Sequence, residues 1–212
     1  MTIQALQSRC LKDSTTLSKW YLKNMIEPAQ VIRVLNANEI SFVLVGLHGL
    51  SAWMREPRGT KDVDVIVAAK HVKKAVRALL AAFDSLEAVD LEVVTRLKDK
   101  ATGDILIDVM KPVQQPTRSV FKNNVVVKEK GQTYRIPTLE MGLVLKFAPM
   151  ISLNRADEDK HQDAHDFIRM VKNNVEINLD TIEKLGDLVY IGGGNEIVEL
   201  VRKVRAGEKL EL

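Results

Sequence analysis

Gly46-Leu47-His48-Gly49-Leu50-Ser51-Ala52, followed shortly by Arg58-Gly59-Thr60-Lys61-Asp62-Val63-Asp64-Val65-Ile66-Val67, is the stretch on which the fold turns. The residues before it, Ser41 to Val45, form a short apolar, β-branched-rich run that reads as a buried strand ending at Gly46. Val63 to Val67 reads as a second strand. Side chains alternate along a strand, so Asp62 and Asp64 project to one side while Val63, Val65 and Val67 pack on the other. Two carboxylates one strand step apart can share a divalent ion. Alone, Asp-x-Asp is a weak pattern, because either acid can also cap the strand or pair with Lys61 or Arg58. Its weight comes from company: a glycine turn, Arg58 and Thr60 precede it, and a later acid stands inside an apolar strand.

That later acid is Asp108, in Ile105-Leu106-Ile107-Asp108-Val109-Met110, where an uncompensated charge is costly. If this strand lies beside the Asp62/Asp64 strand, three hard oxygen donors converge, a set suited to Mg²⁺ or Mn²⁺. A helix opening at Gly46-Leu47 directs backbone amides beyond the strand end, where phosphate is attracted. Gly49 reads equally well as a residue that lets the helix approach the sheet closely.

Outward from this centre, Leu17, Tyr21, Met25, Ile32 and Leu35 predict helix over about residues 14–37, restarted at Pro28. Leu47 to Met54 predicts a short helix, and His71 to Phe83 a longer one with Val72, Val76, Leu79 and Leu80 on one face. Leu91 to Leu97 and Ile105 to Met110 read as strands, and Val125 to Lys128 with Thr133 to Ile136 as a hairpin around Lys130-Gly131. After Pro137 the pattern is helical: Leu139 to about Met150 capped by Thr138, then Glu158 to Val171, Leu179 to Leu188 and Asn195 to Val204. The expectation is an α+β fold, a mixed sheet flanked by helices over residues 1–137, followed by a helical bundle over 138–212.

Composition sets outer bounds. With 46% hydrophobic and 28% charged residues, the chain is an ordinary globular one and not a disordered one. Aromatics, at 5%, are too few for a surface that stacks many bases. The one cysteine, Cys10, fits a reducing compartment, and neither a signal peptide nor a membrane span is legible, so a cytoplasmic protein is expected. Net charge is only +3, but Lys111, Arg118, Lys122, Lys128, Lys130 and Arg135 face a single acid, Glu129, in their segment. Such a stripe can track a phosphate backbone, or merely keep a hairpin edge soluble.

These residues resemble the nucleotidyltransferases of the DNA polymerase β superfamily, in particular the small bacterial branch of abortive-infection toxins and minimal nucleotidyltransferases, over about residues 41–170. The resemblance implies that Gly46, Leu47 and His48 form the phosphate turn, with Leu47 standing where relatives carry a second small residue. It implies that Arg58 and Thr60 form the element before the acids, and that Asp62, Asp64 and Asp108 are the catalytic and metal-binding residues. A further cluster follows: Lys146, Arg155, Lys160, Asp163 and Asp166 match a helical lysine and the Arg and Lys/Asp set after it. Lys160, Asp163 and Asp166 fall near one helix face. His161 and His165 also share a face, at i and i+4, without the glutamate of an HExxH pattern, so a zinc site is not expected.

The implied activity is Mg²⁺-dependent (or Mn²⁺-dependent) transfer of a nucleoside monophosphate from an NTP to an RNA or protein hydroxyl, toxin-like, with tRNA, an antitoxin or a toxin among the implied partners and no membrane. The alternative from another class is a non-catalytic binding module, antitoxin-like or regulatory, which Leu47 favours and the three acids oppose. A metal-dependent nuclease needs similar acids but neither the glycine turn nor the Arg/Thr element.

Overall fold

The computed structural model describes residues 26–54, 59–129 and 131–210. The part of the first expected helix before residue 26, and Cys10, Arg58 and Lys130, lie outside the described residues. Within them, α1 spans Pro28–Ala37. Pro28 sits at the helix start, where its missing N–H costs nothing, and Glu27 and Gln30 cap that end reciprocally. Strand β1 is Phe42–Leu44, and α2 is the short helix Gly46–Leu50, continued by a 3₁₀ turn over Ser51–Trp53. β2 is Val63–Val67, and α3 is Val72–Ala82, entered through a 3₁₀ turn at Ala69–His71.

One expectation needs correction. Where a single strand over Leu91 to Leu97 was expected, the chain forms a hairpin of β3 (Leu86–Asp90) and β4 (Val94–Asp99). Leu91 and Val93 lie at its tip, 43% and 44% exposed, so their apolar character is not a sign of strand interior. The remaining strands are β5 (Ile105–Met110), β6 (Asn124–Glu129) and β7 (Gln132–Pro137). Four helices complete the described chain: α4 (Leu139–Met150), α5 (Asp157–Asn173), α6 (Leu179–Gly186) and α7 (Gly193–Ala206). The Thr138 hydroxyl caps α4 by accepting from the Met141 N–H at 3.3 Å.

The main sheet runs in the order β1-β2-β5-β4-β3. β2 and β5 are parallel, and the other neighbours are antiparallel. β6 and β7 form a separate hairpin. Alternation divides the sheet into two faces. Phe42, Leu44, Val63, Val65, Val67, Ile107 and Val109 join one apolar cluster with α1 and α3, reinforced by Val125, Val127 and Tyr134 of the hairpin. Val43, Val45 and Ile66, on the other face, join a second cluster with Leu47, Leu50 and the apolar residues of α4 to α7. The helical half therefore packs on the face from which Asp64 and Asp108 project. No helix among the described residues is long and apolar enough to cross a membrane.

Candidate active site

Two carboxylates are fixed by backbone pairing. In the parallel ladder of β2 and β5, Asp64 is the direct partner of Asp108. Directly opposed residues share a face and stand closest together. Asp62 lies just ahead of β2, two residues before Asp64, and accepts a hydrogen bond from the Thr60 hydroxyl.

The electrostatics follow from this placement. Burial raises the Asp64 carboxyl from 3.8 to about 7, with the charges of Asp62 and Asp108 adding to the rise; Lys146 and Arg155 oppose it. Asp108 is raised to about 6, mainly by burial, with Arg96 holding it down and Asp62 pushing it up. Both acids thus resist ionisation, and all three carboxylates lie within electrostatic reach of one another. Among the described residues, however, no three His, Cys, Asp or Glu side chains are gathered at metal-coordinating spacing. One Asp108 oxygen, Oδ1, is buried without a hydrogen-bond partner.

Gly46 shapes the floor beside them. Its backbone is left-handed, at φ +56°, and a Cβ placed there would overlap the Asp64 carboxylate. Only glycine satisfies both conditions at no cost. Gly46→Ala is expected to lose about 1–2 kcal/mol in urea unfolding; a variant as stable as the parent would mean that Asp64 has room to step aside. Gly49 has the other role, since a Cβ there would strike the Leu44 carbonyl. It lets α2 lie against β1.

Leu47 does not stand in the way of a ligand: its side chain is 5% exposed and belongs to the core shared with α4 to α7. His48, on the same short helix, is half-buried, and burial lowers its pKa against the pull of Asp62.

The second cluster assembles between α4 and α5. Lys146 Nζ donates to Asp163 Oδ1 at 2.9 Å and to Asp166 Oδ2 at 2.8 Å. Arg155 Nε lies 2.7 Å from the other Asp163 oxygen. Lys146, Asp163 and Asp166 are 8%, 4% and 1% exposed, so this is a buried ionic network on the side of Asp64. Lys160 is not part of it; its ammonium pairs with Asp157 at 3.6 Å.

Arg96 is a site residue the sequence did not single out. It is the register partner of Asp108 on β4, and its Nε lies 3.9 Å from Asp108 Oδ1. Of the basic stripe, two described members are engaged by local partners and two on the hairpin face solvent. Lys111 pairs with Asp90 at 2.8 Å, Arg118 donates to the Pro112 carbonyl at 3.1 Å, and Lys128 and Arg135 are exposed on the hairpin.

No family model and no curated protein matches the chain. Solved structures do. An antigenic nucleotidyltransferase-like protein from Paracoccidioides brasiliensis aligns with a TM-score of 0.50 at 18% identity, over 84% of this chain and 90% of its own. The JHP933 protein of Helicobacter pylori aligns at 0.47 and 16% identity, over 98% and 94%. The lincosamide antibiotic adenylyltransferase LnuA, bound to lincomycin, aligns at 0.46 and 16% identity, over 69% and 99%. The chain has the nucleotidyltransferase fold, a mixed α+β sheet with a helical C-terminal half.

Proposed function

We propose that this protein transfers a nucleoside monophosphate from an NTP to an acceptor hydroxyl, with release of pyrophosphate. The observation that carries the reading is the in-register placement of Asp64 and Asp108 on adjacent strands, with Asp62 close enough to raise the pKa of both. Three carboxylates in a partly buried face are an electrostatic cost that a ligand-free scaffold has no reason to carry.

Their chemistry fits a divalent cation. The donors are hard oxygens, one of them buried without a hydrogen-bond partner, and their mutual repulsion is what a dication relieves. Asp62 and Asp64 would hold Mg²⁺ or Mn²⁺, with Asp108 completing the set; when bound, the ion neutralises charge on the triphosphate and the departing pyrophosphate. The chain's own groups do the rest. Thr60 orients Asp62. The turn at Gly46, Leu47 and His48 borders the acids and would receive the phosphate tail, with Arg58, Lys146 and Arg155 as cationic contacts; Lys160 and Asp163 would support nucleotide binding from α5. Asp108, ionised above about pH 6, takes the proton of the acceptor hydroxyl as its oxygen bonds to the α-phosphorus. The bond from that phosphorus to the bridging oxygen breaks, and the electron pair leaves with pyrophosphate.

The resemblance to toxin-like relatives makes RNA ends, tRNA above all, and protein hydroxyls the first acceptors to test in a cytoplasmic setting. Incubation with labelled NTPs, Mg²⁺ and total RNA or protein tests the reading directly. Label transfer with matching pyrophosphate is expected, and nucleotide binding without pyrophosphate would return the choice to a binding module. Leu47, the feature that favoured that module, is taken up in the core.

Proton linkage supplies a second check. Asp64 and Asp108 titrate near 7 and 6, so cation binding must displace protons below those values. Mg²⁺ affinity is expected to rise about tenfold or more between roughly pH 5.5 and 8. Calorimetry in buffers of different ionisation enthalpy should show proton release on the acid side; a pH-independent affinity would mean the ion binds elsewhere.

A further inference from the structure

Helix α5 uses two faces. Asp163, Asp166, Phe167 and Met170 are buried toward the rest of the helical half. The opposite face carries His161, His165, Ile168 and Lys172, spaced by turns of the helix so that they form one line. Across from this line, α7 ends at Gly207, whose left-handed φ of +75° reverses the chain. The Glu208 N–H donates to the Lys203 carbonyl at 3.0 Å, and the chain from Glu208 to Leu210 returns over α5. A cavity of about 370 Å³ lies between them.

The cavity has two chemical parts. Its floor is apolar: Ala164 and Val204 are each 4% exposed, and Ile168 and Leu210 are half-buried. Its rim carries the two imidazoles, Lys172 and Lys209, against one acid, Glu208. The volume is in the range of small-molecule sites, and an apolar body with a few converging polar groups is what such sites recognise. Among the described residues that line it, two ammonium groups outweigh one carboxylate, and each imidazole offers an N–H donor. A neutral apolar ligand would leave that rim unused, and a cation would be repelled by it.

We propose that this cavity binds an amphiphilic organic anion, with its apolar body on the floor and its carboxylate, sulfonate or phosphate on the imidazole–lysine rim. The site shares no residue with the carboxylate centre, so it stands whether or not the transferase reading does.

The test uses the whole chain and 1-anilinonaphthalene-8-sulfonate, with N-phenyl-1-naphthylamine as its uncharged counterpart. The protein has four histidines, His48, His71, His161 and His165, so their imidazole C2–H signals in proton NMR report the location of binding. Saturable binding of the sulfonate is expected to move the His161 and His165 signals and leave the other two in place. Lys172→Glu combined with Lys209→Glu, both at exposed positions, should weaken the sulfonate about tenfold or more. The uncharged compound should bind more weakly than the sulfonate to the parent and respond little to the reversal. Non-saturable binding, unmoved His161 and His165 signals, or equal affinity in the charge-reversed variant would each overturn the proposal.

Discussion

Asp64→Asn is expected to reduce nucleotidyl transfer by roughly a thousandfold or more while making the folded protein more stable at alkaline pH. The loss follows from removing a charge whose position is set by the β2–β5 ladder, so that no neighbour can replace it. Asp62→Asn with Asp64→Asn should abolish transfer altogether. The gain in stability follows from the sign of the shift. The folded pKa of Asp64, about 7, lies above its ordinary 3.8, so the folded state favours the protonated acid. Stability associated with that proton is complete below about pH 4 and is lost as pH rises through 7. An amide never ionises, so the variant escapes the loss, by about 1 kcal/mol or more near pH 8 and by little near pH 4. Urea unfolding at the two pH values checks the difference. Undiminished transfer would remove the proposed function, and a variant less stable at pH 8 would remove the electrostatic account.

Lys146→Met should act the other way, on folding first. Lys146 holds two carboxylates that are 4% and 1% exposed, and removing it leaves that pair of anions close together without the cation between them. Breaking a buried ion pair from one side costs about 3–5 kcal/mol. Arg155 still neutralises Asp163 in part, since its side chain remains 2.7 Å away, although it is itself 40% exposed and screened by water. Adding Asp163→Asn and Asp166→Asn to Lys146→Met should recover much of the loss, because the repulsion goes with the charges. A single variant within about 1 kcal/mol of the parent would show that the network carries little of the α4–α5 contact.

How far the sequence reached can be judged residue by residue. β2 and β5 were legible because alternation is a local property: Val63, Val65 and Val67 pack one way and Asp64 the other, as the apolar–acidic pattern requires. The α4 start was legible from Thr138 for the same reason. The β3–β4 hairpin was not, because Leu91 and Val93 at its tip look like strand interior and no glycine or proline marks the turn. Arg96 was missed because its meaning depends on the pairing of β4 with β5, a contact between strands that local pattern does not encode. Lys146, Arg155, Asp163 and Asp166 entered through family resemblance, and spacing along α5 correctly put two of the acids together. Spacing did not show the partner Lys160 takes, Asp157 in the first helical turn, where acidic side chains are favoured.

The strand order has a further consequence, for synthesis. β5 lies between β2 and β4, so the last strand of the main sheet to leave the ribosome is an interior one, and it brings Asp108. A nascent chain ending before residue 105 has Asp62 and Asp64 but lacks the strand that stands between β2 and the β3–β4 hairpin. The β1–β2 pair and the β3–β4 hairpin each have their partners earlier, but the five-stranded sheet is joined only when β5 arrives between them. Translation products truncated there therefore carry two of the three acids and a β2 paired on its β1 side alone, and all three carboxylates are present only in chains that have passed that point.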